Sequence, residues 1–78
     1  MHRSTLKVPG FDIVELSPHE WRVADATENP SDATYVLAYI EQRDGAYDVL
    51  SVSPGPPHTW RATTFPEALS FARRPGAA

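Results

Sequence analysis

The spacing of the hydrophobic positions in this chain changes once, close to its C-terminal end. Before that point, apolar and polar residues tend to alternate, as in Trp21 to Ala26, where Trp21 and Val23 share one face of a strand. Arg22 and Ala24 share the other face. Further on, apolar residues recur at the three- and four-residue spacing of an amphipathic helix, namely at Phe65, Ala68, Leu69 and Ala72. The pattern predicts strands followed by a single helix.

The start of the predicted helix has the signature of a capping box. The Thr64 hydroxyl can accept a hydrogen bond from the backbone N–H of Glu67, and the Glu67 side chain can accept one from the Thr64 N–H. Pro66 fits the first helical turn, because its missing N–H breaks no bond within the helix. Pro75-Gly76 is expected to end the helix.

The alternating segments predict three or four short antiparallel strands connected in a meander. Turn-forming residues such as Ser17-Pro18 and Asn29-Pro30 separate them. The proline-rich segment 54–58 is predicted to be a loop, since each proline removes a ladder donor. The segments from which these strands are drawn are Phe11–Leu16, Trp21–Ala26, Ala33–Gln42, Ala46–Ser53 and, as a further short candidate, Thr59–Ala62.

Asp44-Gly45 lies between two β-rich runs and is a strong hairpin signal. A two-residue loop would place Glu41 opposite Asp48, which have like charges. A three-residue loop with a bulge at Gly45 places Glu41 opposite Tyr47, and this register is the one we expect. It assigns Val36, Ala38, Ile40, Leu50 and Val52 to one face of the hairpin, and Tyr35, Leu37, Tyr39, Tyr47, Val49 and Ser51 to the other.

The length of the chain, 78 residues, fits one small domain. The predicted fold class is α+β: a three- to four-stranded antiparallel sheet with one C-terminal helix packed on one face. Residues 1–9 and 75–78 are expected to be flexible tails. Which face of the sheet the helix covers stays open at this point.

A single helix can cover only one face of such a sheet, and the predicted hairpin is apolar on both. Tyrosines are large, amphipathic and low in side-chain entropy, properties that are typical of interface hot spots. We therefore expect the face carrying Tyr35, Tyr39 and Tyr47 to bind a protein partner or a second copy of the chain. The alternative is that the helix or the N-terminal segment covers this face, and that the tyrosines form ordinary cross-strand pairs.

An arginine-rich end gives a second functional hypothesis. Arg61, Arg73 and Arg74 lie toward the C-terminal end, and aromatic residues on a sheet can stack on bases, so nucleic-acid binding is the alternative function. The order of a Trp-bearing strand, a hairpin and a Phe-Pro-Glu-Ala-Leu helix, over residues 20–74, resembles the three-strand-plus-helix DNA-binding modules at the N-terminus of tyrosine recombinases. The resemblance implies a βββα module and transfers no individual residue.

The distribution of charge argues against that alternative. Residues 12 to 48 include nine acidic residues and two arginines, and the net charge of the whole chain is −3. Where the recombinase modules use basic strand residues to hold DNA, this sequence has Asp25, Glu41, Asp44 and Asp48. A phosphate-binding face needs the opposite sign.

The sequence contains no recognisable catalytic or cofactor-binding motif. There is no cysteine, and His2, His19 and His58 lack the spacing of a metal site. The glycines are isolated, so they form no phosphate-binding loop. We expect no catalytic, cofactor or metal site, and hence a non-enzymatic protein.

Location and origin are also read from composition. The first ten residues lack the apolar core of a secretory signal, and no run is long enough to span a bilayer, which predicts a cytoplasmic protein without a membrane segment. Six arginines against one lysine indicate a GC-rich bacterial genome.

Overall fold

The computed structural model describes residues 5–53 and 56–72, with side chains from residue 8 onward. Its strands form one antiparallel sheet in which each strand pairs with the next along the chain. The helix α1 (Phe65–Ala72) follows the last of them. The strands are β1 (Thr5–Val8), β2 (Phe11–Ser17), β3 (Glu20–Asp25), β4 (Val36–Arg43), β5 (Ala46–Ser51) and β6 (His58–Ala62). The α+β class and the antiparallel sheet are confirmed, whereas the count of three or four strands is wrong, because the described sheet has six.

The additional strand at the N-terminal side is β1. It pairs with β2 from Thr5 opposite Val14 to Val8 opposite Phe11. Pro9-Gly10 closes this hairpin, and Gly10 takes a φ of 85°, which the third position of a type II turn requires. Part of segment 1–9, expected to be a flexible tail, therefore forms a strand at residues 5–8. The expected tail 75–78 lies outside the described residues.

The β4–β5 hairpin has a two-residue loop, so the expected three-residue register is wrong. Arg43 pairs with Ala46 across the turn, and Glu41 lies opposite Asp48. Asp44 and Gly45 have φ values of 51° and 76°, the left-handed pair of a type I′ turn, whose twist matches that of the strands. The like charges of Glu41 and Asp48 are compensated by arginines, as described below.

This register changes which side chains share a face. Ile40 lies opposite Val49, and Leu50 lies opposite Tyr39, so Leu50 and Ile40 are on different faces of the hairpin. We call the side that packs against α1 the helix face and the other side the open face. The predicted grouping of Leu50 with Ile40, and of Tyr39 with Val49, is wrong for this reason.

A bulge in β4 turns one further residue toward the helix. Val23 pairs with Ala38, whereas Ala24 pairs with Val36, which leaves Leu37 as the extra residue. Leu37 and Ala38 are both buried in the core, and beyond the bulge Val36 falls on the open face with Ala24. Strand alternation therefore reverses at Leu37.

The hydrophobic core lies between the helix face and α1. The helix packs mainly on β5 and β6 and more weakly on β4, and its buried residues are Ala68, Leu69 and Ala72, as its spacing predicts. The Phe65 ring contacts that of Trp21 at a centroid distance of 5.1 Å, and Phe71 stacks on Trp60 at 5.0 Å. The sheet contributes Ile13, Val23, Leu37, Ala38, Ile40, Val49 and Ala62 to this core.

In the N-terminal cap of α1, one of the two expected hydrogen bonds involves Thr63 instead of Thr64. The Glu67 N–H donates to the Thr64 hydroxyl at 3.2 Å, as expected. The return bond differs, because Glu67 Oε1 accepts from the backbone N–H of Thr63 at 2.9 Å and from the Thr63 hydroxyl at 3.1 Å. Both threonines thus fix the entry into the helix.

Candidate functional site

The large hydrophobic side chains that stand most exposed in the described part of the chain lie on the open face. Leu16, Tyr39 and Leu50 have exposed fractions of 41, 41 and 40%. Tyr39 and Leu50 are directly opposite each other on β4 and β5, and Leu16 is the extra residue of a bulge in β2. All three line an open groove of about 660 Å³ that runs across the sheet. The groove gives the open face an apolar centre.

A row of charged residues crosses the sheet beside this apolar centre. Glu20 on β3 lies opposite Glu41 on β4, which lies opposite Asp48 on β5, which lies opposite Arg61 on β6. We call these four residues the charged row. Its three acids are therefore on β3, β4 and β5, and its cation is on β6. The row is polarised along the direction that runs from strand to strand.

Arginines neutralise one end of the charged row. Arg61 Nη1 donates to Asp48 Oδ1 at 2.6 Å, and Arg43 Nε lies 3.9 Å from Asp48 Oδ2. Arg43 also lies 3.8 Å from Glu41, so the like-charge pair of the hairpin is surrounded by two cations. Glu20 is exposed and forms no ion pair with any residue of 5–53 or 56–72. The β3 end of the row is left with an acid that a partner can neutralise.

The far end of the open face contains a tyrosine–carboxylate hydrogen bond. The Tyr35 hydroxyl donates to Asp12 Oδ2 at 2.9 Å and connects the residue before β4 to β2. This bond raises the pKa of Tyr35 above the usual value of 10.0, with burial and the negative charge of Asp12 as further causes. Arg22 lies on the same face, and its buried Nε has no hydrogen-bond partner among the described residues.

Replacing Asp12 with asparagine is expected to lower the pKa of Tyr35, because a neutral amide oxygen is a weaker acceptor and adds no negative charge. A tyrosine whose pKa is raised by folding contributes stability below its unfolded-state pKa of about 10 and loses it as the pH rises through the folded-state value. The stability difference between wild type and D12N should therefore shrink at alkaline pH.

The measurement is the absorbance of tyrosinate in a pH titration of wild type, D12N and Y35F. Subtraction of the Y35F curve isolates Tyr35. A Tyr35 titration that is identical in wild type and D12N would contradict the assigned hydrogen bond.

The three tyrosines predicted to share a binding face do not all lie there. Tyr35 and Tyr39 are on the open face, whereas Tyr47 is on the helix face, where its ring contacts Trp21 at 6.2 Å and Phe65 at 5.7 Å. The hairpin register separates them, since Tyr47 lies opposite Gln42 and Ala62. Sequence reasoning missed Leu16, Leu50 and the charged row, which need the register and the bulges to be known.

The arginines of the nucleic-acid hypothesis are only partly described. Arg61 is bound to Asp48 and also donates to the backbone oxygen of Arg43 at 3.3 Å. Arg73 and Arg74 lie outside the described residues. The sheet is larger than that of a three-strand module, because β3 to β6 continue into β2 and β1 in the same sheet.

The histidines and acids of residues 5–53 and 56–72 do not form a metal site. No group of three metal-ligating side chains that could hold an ion occurs within this part of the chain. His19 is exposed in a turn, and the His58 ring lies 6.4 Å from that of Trp60. Within the same residues, no helix has the length and hydrophobicity needed to cross a membrane.

A second hollow of about 370 Å³ lies on the helix face between α1 and the first hairpin. Its lining includes Val8 and Phe11 from the sheet and Pro66 and Leu69 from the helix. It is shallower and has less polar lining than the open-face groove, so it offers fewer groups for specific recognition.

Comparisons of this chain with protein-family models, with curated proteins and with solved structures find no match. Its function is therefore inferred from its own residues.

Proposed function

We propose that this chain is a small non-enzymatic interaction module whose open face binds another protein surface. The observation that carries the proposal is the exposure of Tyr39 and Leu50 as a direct cross-strand pair, with Leu16 beside them in one groove. Exposed apolar clusters rimmed by polar residues mark interaction sites.

The composition of the open face fits a protein partner. Its centre is apolar and contains a tyrosine, the residue type that combines a large contact area with a polar tip. The charged row beside it forms a polar rim with both signs of charge. An apolar core with a charged rim is the arrangement found in specific protein interfaces.

Because the chain is small, burial of the open face by a partner is expected to stabilise it. A domain of about 60 residues buries only about 60% of the surface that its unfolded chain exposes, and α1 covers the opposite side of the sheet. Docking on the open face would remove Tyr39 and Leu50 from water and add apolar burial that the monomer lacks.

Nucleic-acid binding is not proposed. The only described arginine of that hypothesis, Arg61, is already bound to Asp48, and Glu20 and Glu41 would repel phosphates approaching the same row. The expected cytoplasmic location and bacterial origin remain part of the proposal and rest on the sequence alone.

The test uses the absence of cysteine from the chain. Thr59 lines the groove, whereas Ala26 is exposed in the turn after β3 and outside the groove lining, so T59C and A26C form a matched pair. Each variant is labelled with a benzophenone maleimide and irradiated, alone and in an extract of the source cells.

We expect a crosslinked protein adduct from position 59 and none from position 26. Equal adduct yields from the two positions, or no adduct from position 59 under either condition, would contradict the proposed function. The mass of the adduct shows whether the occupant is a second copy of the chain or a different protein.

A further inference from the structure

The partner that best fits the open face is the chain itself. We infer that two copies pack open face to open face around a two-fold axis that runs parallel to the strands, between β4 and β5. This inference rests on the proposed function and names its partner. It follows from the polarity of the charged row and from the position of the Tyr39–Leu50 pair.

Rotation about such an axis keeps each row at its own height and reverses the order of the strands. β3 then faces β6 of the partner, and β4 faces β5 of the partner. In the charged row, Glu20 faces the partner's Arg61, and by symmetry Arg61 faces the partner's Glu20. An isologous interface requires this kind of self-complementarity.

The same operation brings the apolar centres together. Tyr39 faces the partner's Leu50, and Leu50 faces the partner's Tyr39, so the pair with exposed fractions of 41 and 40% becomes the middle of the interface. The two sheets would lie roughly 10 Å apart and cross at roughly 30°, the geometry of aligned β-sandwiches. Both helices would then lie on the outside of the dimer.

The salt bridge is within reach in this arrangement. Glu20 and the partner's Arg61 each lie about one and a half strand spacings, or roughly 7 Å, from the axis. At that distance the crossing of the sheets shifts them by roughly one residue along the strand, which the long side chains can span. Arg61 would bridge its own Asp48 and the partner's Glu20, while Glu20 gains the cation that it lacks among the described residues.

A different axis position is disfavoured by charge. If the axis ran along β4, Glu41 would face the partner's Glu41, and Glu20 would face the partner's Asp48. Like charges placed directly opposite each other oppose association. The position between β4 and β5 leaves like charges only where Glu41 faces the partner's Asp48, a contact that symmetry repeats once. Asp48 is already neutralised there by Arg43 and Arg61.

A charge swap tests both the partner and the geometry. The two variants are E20R and R61E. In a homodimer of either variant, like charges would face each other at both contacts. We expect each variant to raise the dimer dissociation constant about tenfold or more relative to wild type, measured by sedimentation equilibrium. Thermal unfolding of each variant serves as the control for folding. This control matters most for R61E, because that substitution removes the bond to Asp48.

Mixing the two variants is the decisive step. In a mixed pair, the arginine introduced by E20R meets the glutamate introduced by R61E at one contact, and the native Arg61 and Glu20 meet at the other. We therefore expect the mixture to form a dimer of wild-type affinity, whereas either variant alone stays weakly associated at the same total concentration. Such recovery requires both contacts to exist in one interface, so a general loss of folding cannot produce it.

Two results would overturn the inference. One is a wild-type chain that sediments as a monomer up to submillimolar concentration, and the other is a mixture that does not associate more tightly than its components. An adduct from T59C with twice the mass of the chain supports the second copy, whereas an adduct of another mass overturns the second copy and leaves the proposed function standing.

Discussion

Replacement of Ile40 by alanine is expected to lower the free energy of unfolding by about 2 to 5 kcal/mol. Ile40 is 1% exposed and lies between Trp21 on β3 and Val49 on β5, at the centre of the helix face. The substitution removes buried methyl groups and leaves a cavity that β-strands on both sides cannot close. Urea denaturation followed by tryptophan fluorescence measures the loss.

The matched control is Leu50→Ala. Leucine and isoleucine lose the same number of carbon atoms on truncation, but Leu50 points to the open face and is 40% exposed. In dilute protein we expect L50A to cost about 1 kcal/mol or less. A loss for L50A that equals the loss for Ile40→Ala would contradict the two-residue hairpin register, because only the three-residue register places both side chains on one face.

Replacement of Phe65 by alanine is expected to cost about 3 kcal/mol and to loosen the helix as well. Phe65 is the first residue of α1, and its ring meets those of Trp21 and Tyr47 at 5.1 and 5.7 Å. A helix of eight residues is not stable by itself in water, so it depends on these contacts and on its buried stripe.

Urea denaturation gives the free energy, and hydrogen exchange of the α1 amides reports the loosening. The control is Ser70→Ala on the exposed side of the same helix, which we expect to change stability by about 0.5 kcal/mol or less. An effect of Phe65→Ala no larger than that of the control would show that the aromatic contacts do not anchor the helix.

The helix could be predicted because all its signals are local. Phe65, Ala68, Leu69 and Ala72 follow one helical spacing, and Glu67 is within reach of either threonine before it. The one error, a return bond to Thr63 instead of Thr64, concerns a choice between neighbouring donors. Sequence spacing cannot distinguish them, since both lie at the entry of the same turn.

The hairpin register could not be predicted from its two strands alone. The turn residues favour a two-residue loop, and the Glu41–Asp48 pair opposes it. The neighbouring strand β6 decides the register, because its Arg61 binds Asp48 at 2.6 Å and offsets the repulsion between Glu41 and Asp48. Interactions between strands that are distant along the chain are therefore part of the register, and the sequence pattern does not reveal them.

Only part of the candidate site could be predicted from the sequence, for the same reason. Tyr39 is a hydrophobic residue of a clear strand, so its importance could be recognised. Leu16 and Leu37 are the extra residues of bulges. A bulge changes the face to which a side chain points, and the alternation of apolar and polar residues in the sequence does not reveal it. β1 was missed because it has only four residues, although the Pro9-Gly10 turn after it is a usable signal.

The most direct test of the account is the accessibility of the Leu50 methyl groups to a soluble paramagnetic probe, measured by NMR at low and at high protein concentration. Thr27 serves as an exposed control and Leu69, 8% exposed, as a buried one. We expect the Leu50 methyl signals to be broadened like those of Thr27 in dilute protein and protected like those of Leu69 in concentrated protein. Leu50 methyl groups that stay as accessible as those of Thr27 at every concentration would contradict the packing of two open faces against each other.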